Sequence, residues 1–508
     1  LYVALVRALA EAEAAGGAEG LLQVTVVDPA CGAGVFLVAA ARRMARRLAH
    51  ARFDEPTTAH VRQAHRDVLD RCVHGVDRDP AVVELAAIAL RQDAEETGVA
   101  GPAPRLMVGD ALLDDWPDRL HDVFAVAGGF DVVVGNPPFL NQRETLTARR
   151  SGVAEALAAR SGGTVRAYTD LSAVFLQRSL SWVRPGGRVA FVQPQSMLAA
   201  RDAGAVRAEL ATGASLESLW ATDEPVFDAH VLTCAPVLRR GFPQRAVRRT
   251  HGRDFRAVPP YPAPDLSREW SFLLAAGLGV PEVSLSDRCG TLDELAECTA
   301  DFRDQYYGLA PYVREAVDCP AGAPLITTGL IEPAACLWGH RDARFLKRRW
   351  TAPVIDVEAL RADEALGRWA TARMVPKVLL ATQGSVLEAV VDAEGAWLPS
   401  VPTVTVATDE EHLWHVLAVL LSPPVSAYAA ARYAGTALTM RAIKLSARQV
   451  GRLPLPVDRA AWAHGAALAK EAQTGSAGTP DLADLGTAMC AAYDVSDPAV
   501  LEWWRARR

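Results

Sequence analysis

The chain has 508 residues, more than a single hydrophobic core organises, so two or three domains are expected. Half of the residues are apolar and 22% are charged, the balance of a soluble globular protein, and the formal charge of −7 argues against a chain coated throughout with nucleic acid while leaving room for a local basic groove. Eight scattered cysteines without a CxxC, and 11 histidines without an HExxH, exclude the common zinc spacings, so no metal is expected and the thiols read as reduced and cytoplasmic.

The chain opens on Leu1 rather than methionine, which leaves open whether residues upstream complete a site. No signal peptide or membrane span is expected, because the apolar run at Leu421 to Ala431 is broken by Pro423-Pro424. Leu1 to Ala15 carries apolar residues on a helical period. Val24 to Val27 then reads as a buried strand ending on Asp28. A turn, Pro29-Ala30-Cys31-Gly32-Ala33-Gly34, leads into a helix over Val35 to Ala49. Strand, glycine turn and helix form the arrangement with which open α/β sheets hold nucleotide-like ligands at the carboxyl edge. Gly32 and Gly34 let the backbone approach such a ligand without a side chain in the way. By itself the motif is weak, and Asp28 also reads as an ordinary helix N-cap.

Cys72 to Asp77 is the second expected strand, with an acid at its tip that can accept both hydroxyls of a ribose. The gap from Asp28 to Asp77 exceeds the usual spacing of about 20 residues, so the helix between them is long or doubled. Asp79-Pro80 caps and starts a helix over Ala81 to Arg91. Arg105 to Val108 is the third strand and leads into Gly109-Asp110-Ala111, while Leu113 to Ala127 reads as a surface element. The fourth strand, Asp131 to Val134, runs into Gly135-Asn136-Pro137-Pro138-Phe139. Two prolines fix two φ angles and remove two N–H donors, so Asn136 is held stiffly beside an aromatic ring. Leu140 to Gly163 is expected as a helical flap, and Thr169 to Trp182 as an amphipathic helix. Pro185-Gly186-Gly187 reads as a turn before a strand at Arg188 to Val192. A helix at Ala205 to Ala211 and strands at Ser215 to Trp220 and Val231 to Leu238, with Phe227 between them, complete this half.

The DPACGAG and NPPF stretches, in this order and each ending a strand, resemble the cofactor loop and catalytic tetrapeptide of adenine-N6 DNA methyltransferases. That family is S-adenosylmethionine-dependent, TaqI-like with the gamma-type motif order, and serves restriction-modification or related phage-defence systems. The resemblance implies an α/β class I methyltransferase: a seven-stranded doubly wound sheet with a C-terminal mixed α/β target-recognition domain. It implies S-adenosyl-L-methionine as cofactor, with Asp28 near its ammonium, Asp77 at the ribose and Asp110 at the adenine amino group. Ala30, Gly32, Gly34, Ala111 and Asn136 complete that expected binding set. Catalysis is expected from Asn136, Pro137, Pro138, Phe139 and Phe227 on a base flipped out of duplex DNA. The lone pair of an exocyclic amine is spread into its ring. The Asn136 side-chain oxygen and the Pro137 backbone oxygen would draw it back by accepting the amine hydrogens. Phe139 would stack on one face of the base and Phe227 on the other. The family's further cofactor loop often carries a Thr-Pro pair, and no such pair precedes Val24.

The expected organisation is a cofactor-binding and catalytic domain over 1–243, a linker with a bridging helix over 244–290, a target-recognition domain over 291–457 and a helical segment over 458–508. Arg239 to Pro264, rich in Arg, Pro and Gly, is the expected linker. Lys377 to Ala381 and Val401 to Val406 read as strands with a hairpin turn at Asp392-Ala393-Glu394-Gly395 between them, and Glu411 to Leu421 as a helix. The run Arg432 to Pro456, RYAGTALTMRAIKLSARQVGRLPLP, resembles the recognition region of TaqI-like and type II modification enzymes. It places Thr436 and Thr439 near DNA and Arg441, Lys444 and Arg448 at phosphates. Duplex DNA is the expected partner, and separate restriction or defence subunits are possible ones. Four rival readings stay open: cytosine N4, structured RNA or a protein glutamine as target, and a non-catalytic specificity subunit that kept the fold.

Overall fold

The computed structural model describes residues 2–92, 103–115, 119–139, 151–165, 169–227, 231–267, 269–301, 303–382, 384–433, 442–475 and 481–508. The first part of the expected flap and the residues Thr436, Thr439 and Arg441 lie outside them. The chain divides into two compact units, Leu1–Leu273 and Leu274–Arg508.

The first unit is built on a ten-stranded mixed sheet. Its strands are β1 (Val26–Asp28), β2 (Val73–Asp77), β3 (Arg105–Val108), β4 (Phe130–Gly135), β5 (Val183–Phe191), β6 (Gln193–Pro194), β7 (Ala214–Ala221), β8 (Thr233–Arg240), β9 (Val247–His251) and β10 (Arg256–Tyr261). The spatial order is β10-β9-β7-β8-β5-β4-β1-β2-β3, with β6 paired to β8. Strands β3, β2, β1, β4 and β5 run parallel, and β8 returns antiparallel. Every residue of β1 and β4 is buried, Asp28 and Asp131 included, because a central parallel strand is covered on both faces.

Helices α1 (Tyr2–Leu22), α2 (Val35–Arg52), α3 (Thr58–Arg71), α4 (Pro80–Gln92), α5 (Ser151–Arg160), α6 (Leu171–Trp182) and α7 (Gly204–Gly213) accompany the sheet. The stretch between Asp28 and Asp77 is doubled: α2 ends at Arg52, and Thr57 opens α3 with a capping box to His60. Leu37, Met44 and Leu48 of α2 share a core with Val68 and Leu69 of α3 and with Val26 and Val132 of the sheet. Arg188 on β5, 2% exposed, bonds Glu217 on β7 at 2.9 Å and Glu11 on α1 at 2.7 Å, and so ties α1 to the sheet.

Two expectations are corrected here. Pro185-Gly186-Gly187 does not precede a strand but bulges inside β5, because Phe130 pairs with Val183 while Val132 pairs with Arg188. Residues 244–290 are not simply a linker: β9 and β10 extend the sheet beyond the expected seven strands. Residues of β9 alternate in burial, but its inward side chains include Arg249 and His251, so hydropathy conceals the strand.

The second unit holds two four-stranded sheets and two two-stranded ones among the described residues. One of the four-stranded sheets is antiparallel, Glu297–Ala300, Val404–Ala407, Lys377–Ala381 and Glu388–Asp392 in spatial order. The expected hairpin is thereby changed, since Glu388–Asp392 pairs with Lys377–Ala381 and the 392–395 turn follows it. Lys377 and Asp392, both fully buried, pair at 2.5 Å, and Asp392 also accepts the Trp397 N–H at 2.9 Å. The 458–508 segment is helical, and Trp462, Met489 and Trp504 join one core with Val378, Val406 and Leu417. No single helix among the described residues is long and apolar enough to cross a membrane.

Candidate active site

The carboxyl ends of β1 to β4 open onto one cavity of about 390 Å³. Each parallel strand delivers one turn to it. Pro29 and Ala30 follow β1, Asp77 and Arg78 close β2, Asp110 to Leu113 follow β3, and Asn136 and Pro138 follow β4. Leu157 of α5 and Leu171 and Phe175 of α6 form an apolar wall.

The turns brace one another. The Gly32 N–H donates to Asp77 Oδ2 at 2.9 Å, and the Asp79 N–H donates to Oδ1 at 3.1 Å. Asp77 therefore anchors the glycine turn while still lining the cavity. Gly34 has φ 82°, and a Cβ there would stand 3.1 Å from the Ala86 Cβ on α4, so only glycine fits both the conformation and the space. Asp110 Oδ1 accepts the Leu112 N–H at 3.0 Å, and its other oxygen lies 3.5 Å from Arg78 Nε.

Asp28 sits beneath this floor. It is fully buried, its Oδ1 accepts the Ala30 N–H at 3.0 Å, and its Oδ2 has no partner among the described residues. Burial, and after it the nearby Asp77 charge, pushes its carboxyl up to about 7 against the opposing Ala30 hydrogen bond. Burial likewise raises the Cys31 thiol to about 12. Asn136 Oδ1 is buried without a hydrogen-bond partner among the described residues, at the mouth of a turn whose prolines offer no N–H.

Of the residues expected at the site, Ala30, Asp77, Asp110, Ala111, Asn136 and Pro138 line the cavity. Asp28, Gly32, Gly34, Pro137 and Phe139 lie in the same turns without lining it. Phe227 stands apart on the β7–β8 connection, 42% exposed. The stems of that connection are fixed by Gln195, whose side-chain nitrogen donates to the Thr222 oxygen at 2.6 Å and the Thr233 oxygen at 3.0 Å.

The fold is shared with restriction-modification enzymes. The type IIL enzyme MmeI, solved in complex with DNA, superposes with a TM-score of 0.63 at 13% identity over 99% of this chain and 75% of that one. A nuclease-deletion mutant of the type ISP enzyme LlaGI, solved with a DNA substrate mimic, matches with a TM-score of 0.51 at 11% identity. That match covers 92% of this chain and 46% of the other, so this chain spans less than half the length of that deletion mutant. Residues 71–227, from the end of α3 to Phe227, match the family of Eco57I restriction-modification methylases. Over that segment the chain is similar to methylases that act in restriction-modification.

S-adenosyl-L-methionine is the cofactor this similarity gives, and the cavity fits that group. The volume suits a ligand of nucleoside size, the acids at the ends of β2 and β3 offer acceptors, and an unpartnered amide oxygen faces the same turns. Leu157, Leu171 and Phe175 escaped the sequence reading, because apolar residues on an amphipathic helix look alike whether they face a core or a ligand.

Proposed function

We propose that Asn136 and Pro137 of this methyltransferase hold the N6 amine of a flipped adenine through two oxygens, the Asn136 Oδ1 and the Pro137 carbonyl. The observation that carries this reading is the buried, unpartnered Asn136 Oδ1. An acceptor left without a donor costs stability unless a ligand satisfies it. Two acceptors draw the amine lone pair out of conjugation and grow stronger as the nitrogen becomes positive. When bound, S-adenosylmethionine supplies the methyl group on its sulfonium. The amine proton is lost after transfer, so no strong base is needed.

In the same reading Asp77 accepts the ribose hydroxyls, and Asp110 with Ala111 meets the adenine of the cofactor. Asp28 holds the turn from below through the Ala30 N–H. Phe139 and Phe227 take the two faces of the flipped base. The run β3-β2-β1-β4-β5-β8-β7 supports a class I methyltransferase core, with β9 and β10 added at one edge. The second unit is read as the target-recognition part, supported by exposed Lys444 and Arg448 on the segment that resembles such regions. Separate restriction or defence subunits are the partners this reading implies, and affinity capture of the intact chain from its native host tests for them.

Single-turnover transfer of labelled methyl into unmethylated plasmid DNA, measured beside cofactor affinity, tests the assignment. A wild-type rate in Asn136→Ala refutes it.

A further inference from the structure

The second unit carries a short hairpin with two unlike faces. Ala343–Phe345 pairs antiparallel with Arg348–Trp350, and Leu346-Lys347 forms the tip. Ala343, Phe345 and Trp350 point inward and are buried in a core with Leu330 and Leu379. Three contacts fix the hairpin from within. The Trp350 indole N–H donates to the Phe345 oxygen at 3.3 Å. The Leu346 N–H donates to the Tyr306 hydroxyl at 2.9 Å, and the Tyr306 ring packs on Phe345 at 4.7 Å.

The outward face is basic. Arg344, Lys347, Arg348 and Arg349 are all exposed, and no carboxylate among the described residues forms an ion pair with any of them. The guanidinium of Arg348 stacks over the Trp350 ring at 4.5 Å, whereas the other three charges have no such contact among the described residues. Four unpaired cations within six residues stand out in a chain whose formal charge is −7. The tip adds a second observation. Leu346 and Lys347 adopt φ 52° and 63°, the left-handed pair that such two-residue turns need and that Asn-Gly fills without strain. A lysine held there presents its charge at the end of a rigid ribbon.

We propose that this hairpin binds duplex DNA through the phosphate backbone, with Arg344, Lys347 and Arg349 as the contacting cations. The proposal rests on the reading of the second unit as the DNA-recognising part, and adds the element that does the holding. A two-stranded ribbon has the width to follow or enter a major groove. Arginine and lysine side chains without carboxylate partners meet phosphates with little internal competition.

The test uses the full chain carrying Arg344→Ala, Lys347→Gly and Arg349→Ala together. Arg348 is left in place because it packs on Trp350. Lys347→Gly removes the charge while relieving the left-handed φ, so this change does not weaken the fold. A fluorescent unmethylated duplex is titrated over a salt series. The expected result is an affinity loss of at least about tenfold near physiological salt and a log–log salt slope shallower by about 2–3, from three lost phosphate contacts. Cofactor affinity and the thermal midpoint are expected to stay at wild-type values. A parallel variant, Lys444→Ala with Arg448→Ala, separates the two levels of the argument. Unchanged affinity and slope in the hairpin variant, with a loss in the Lys444 and Arg448 variant, overturns the hairpin and leaves the domain reading standing. Unchanged binding in both overturns the domain reading as well.

Discussion

A methyl group on Gly135 would stand 2.5 Å from the Asp28 Oδ1, so the strand that ends in NPPF rests directly on the acid that closes β1. The carboxyl caught between them titrates near 7, far above its ordinary 3.8. Above 3.8 the unfolded chain gives up this proton while the folded chain keeps it. The stability that the raised pKa provides is therefore complete below about 4 and is lost as pH rises to about 7. Asp28→Asn removes this loss. Urea midpoints across pH should show the variant gaining on the parent between pH 4 and 7, by the order of a few kcal/mol, and then running level.

Asp77 serves two structures at once, the Gly32 N–H and the cavity wall. Asp77→Ala should weaken S-adenosylmethionine binding by about 1–3 kcal/mol, the scale of lost charged hydrogen bonds. Calorimetry on a folded variant checks this, and unchanged affinity removes Asp77 from the site.

Asn136→Ala should slow methyl transfer by at least ~100-fold, as loss of one preorganised partner of a transition state does. Cofactor affinity should barely change. Asn136→Asp retains an acceptor but adds a charge near Asp28, so it should fall between the alanine variant and the parent in the same single-turnover assay.

Gln195 donates to both stems of the connection that bears Phe227, and its own oxygen has no partner among the described residues. Gln195→Met keeps the bulk and loses both donors. Transfer should fall about tenfold, the rate equivalent of one buried hydrogen bond, with cofactor affinity unchanged. Combined with Phe227→Ala, it should add little further loss, because both changes act on one element. A fully multiplicative effect in the double variant would place Gln195 outside that element.

A fragment ending at Leu238 would cut within β8 and remove β9, exposing the edge of β7. A fragment ending at Leu273 keeps the sheet whole. The longer fragment should bind cofactor yet lose preference between cognate and scrambled duplexes at fixed salt. Retained preference would show that the second unit does not read sequence.

The parts of the enzyme legible in sequence are those where residue type dictates backbone. Glycines at 32 and 34 and prolines at 137 and 138 announce their turns, and the valine runs Val26-Val27 of β1 and Val132 to Val134 of β4 announce buried strands. What stayed hidden has physical reasons. In β9 the inward Arg249 is 4% exposed and spends its guanidinium on the Pro259 and Leu273 oxygens, so a buried position is filled by a charged residue. The basic hairpin turns at Leu346-Lys347 without glycine or asparagine and so lacks the usual turn signature. Phe175 reaches the cavity from a helix whose pattern predicts only burial.

The helix Pro498–Arg505 places Trp504 at 0% exposure in the same core as Val378 and Leu417. That placement sets an order of events during synthesis. The sheet of the first unit has all its strands once translation has passed Tyr261, and it can close while the ribosome is still at work. The second unit draws its core from residues far apart along the chain and waits for its last helix to emerge. Until then its apolar strands are open to wrong partners. The nascent methyltransferase thus passes through a stage with a finished catalytic sheet and an unfinished second unit, when chaperones have most to protect.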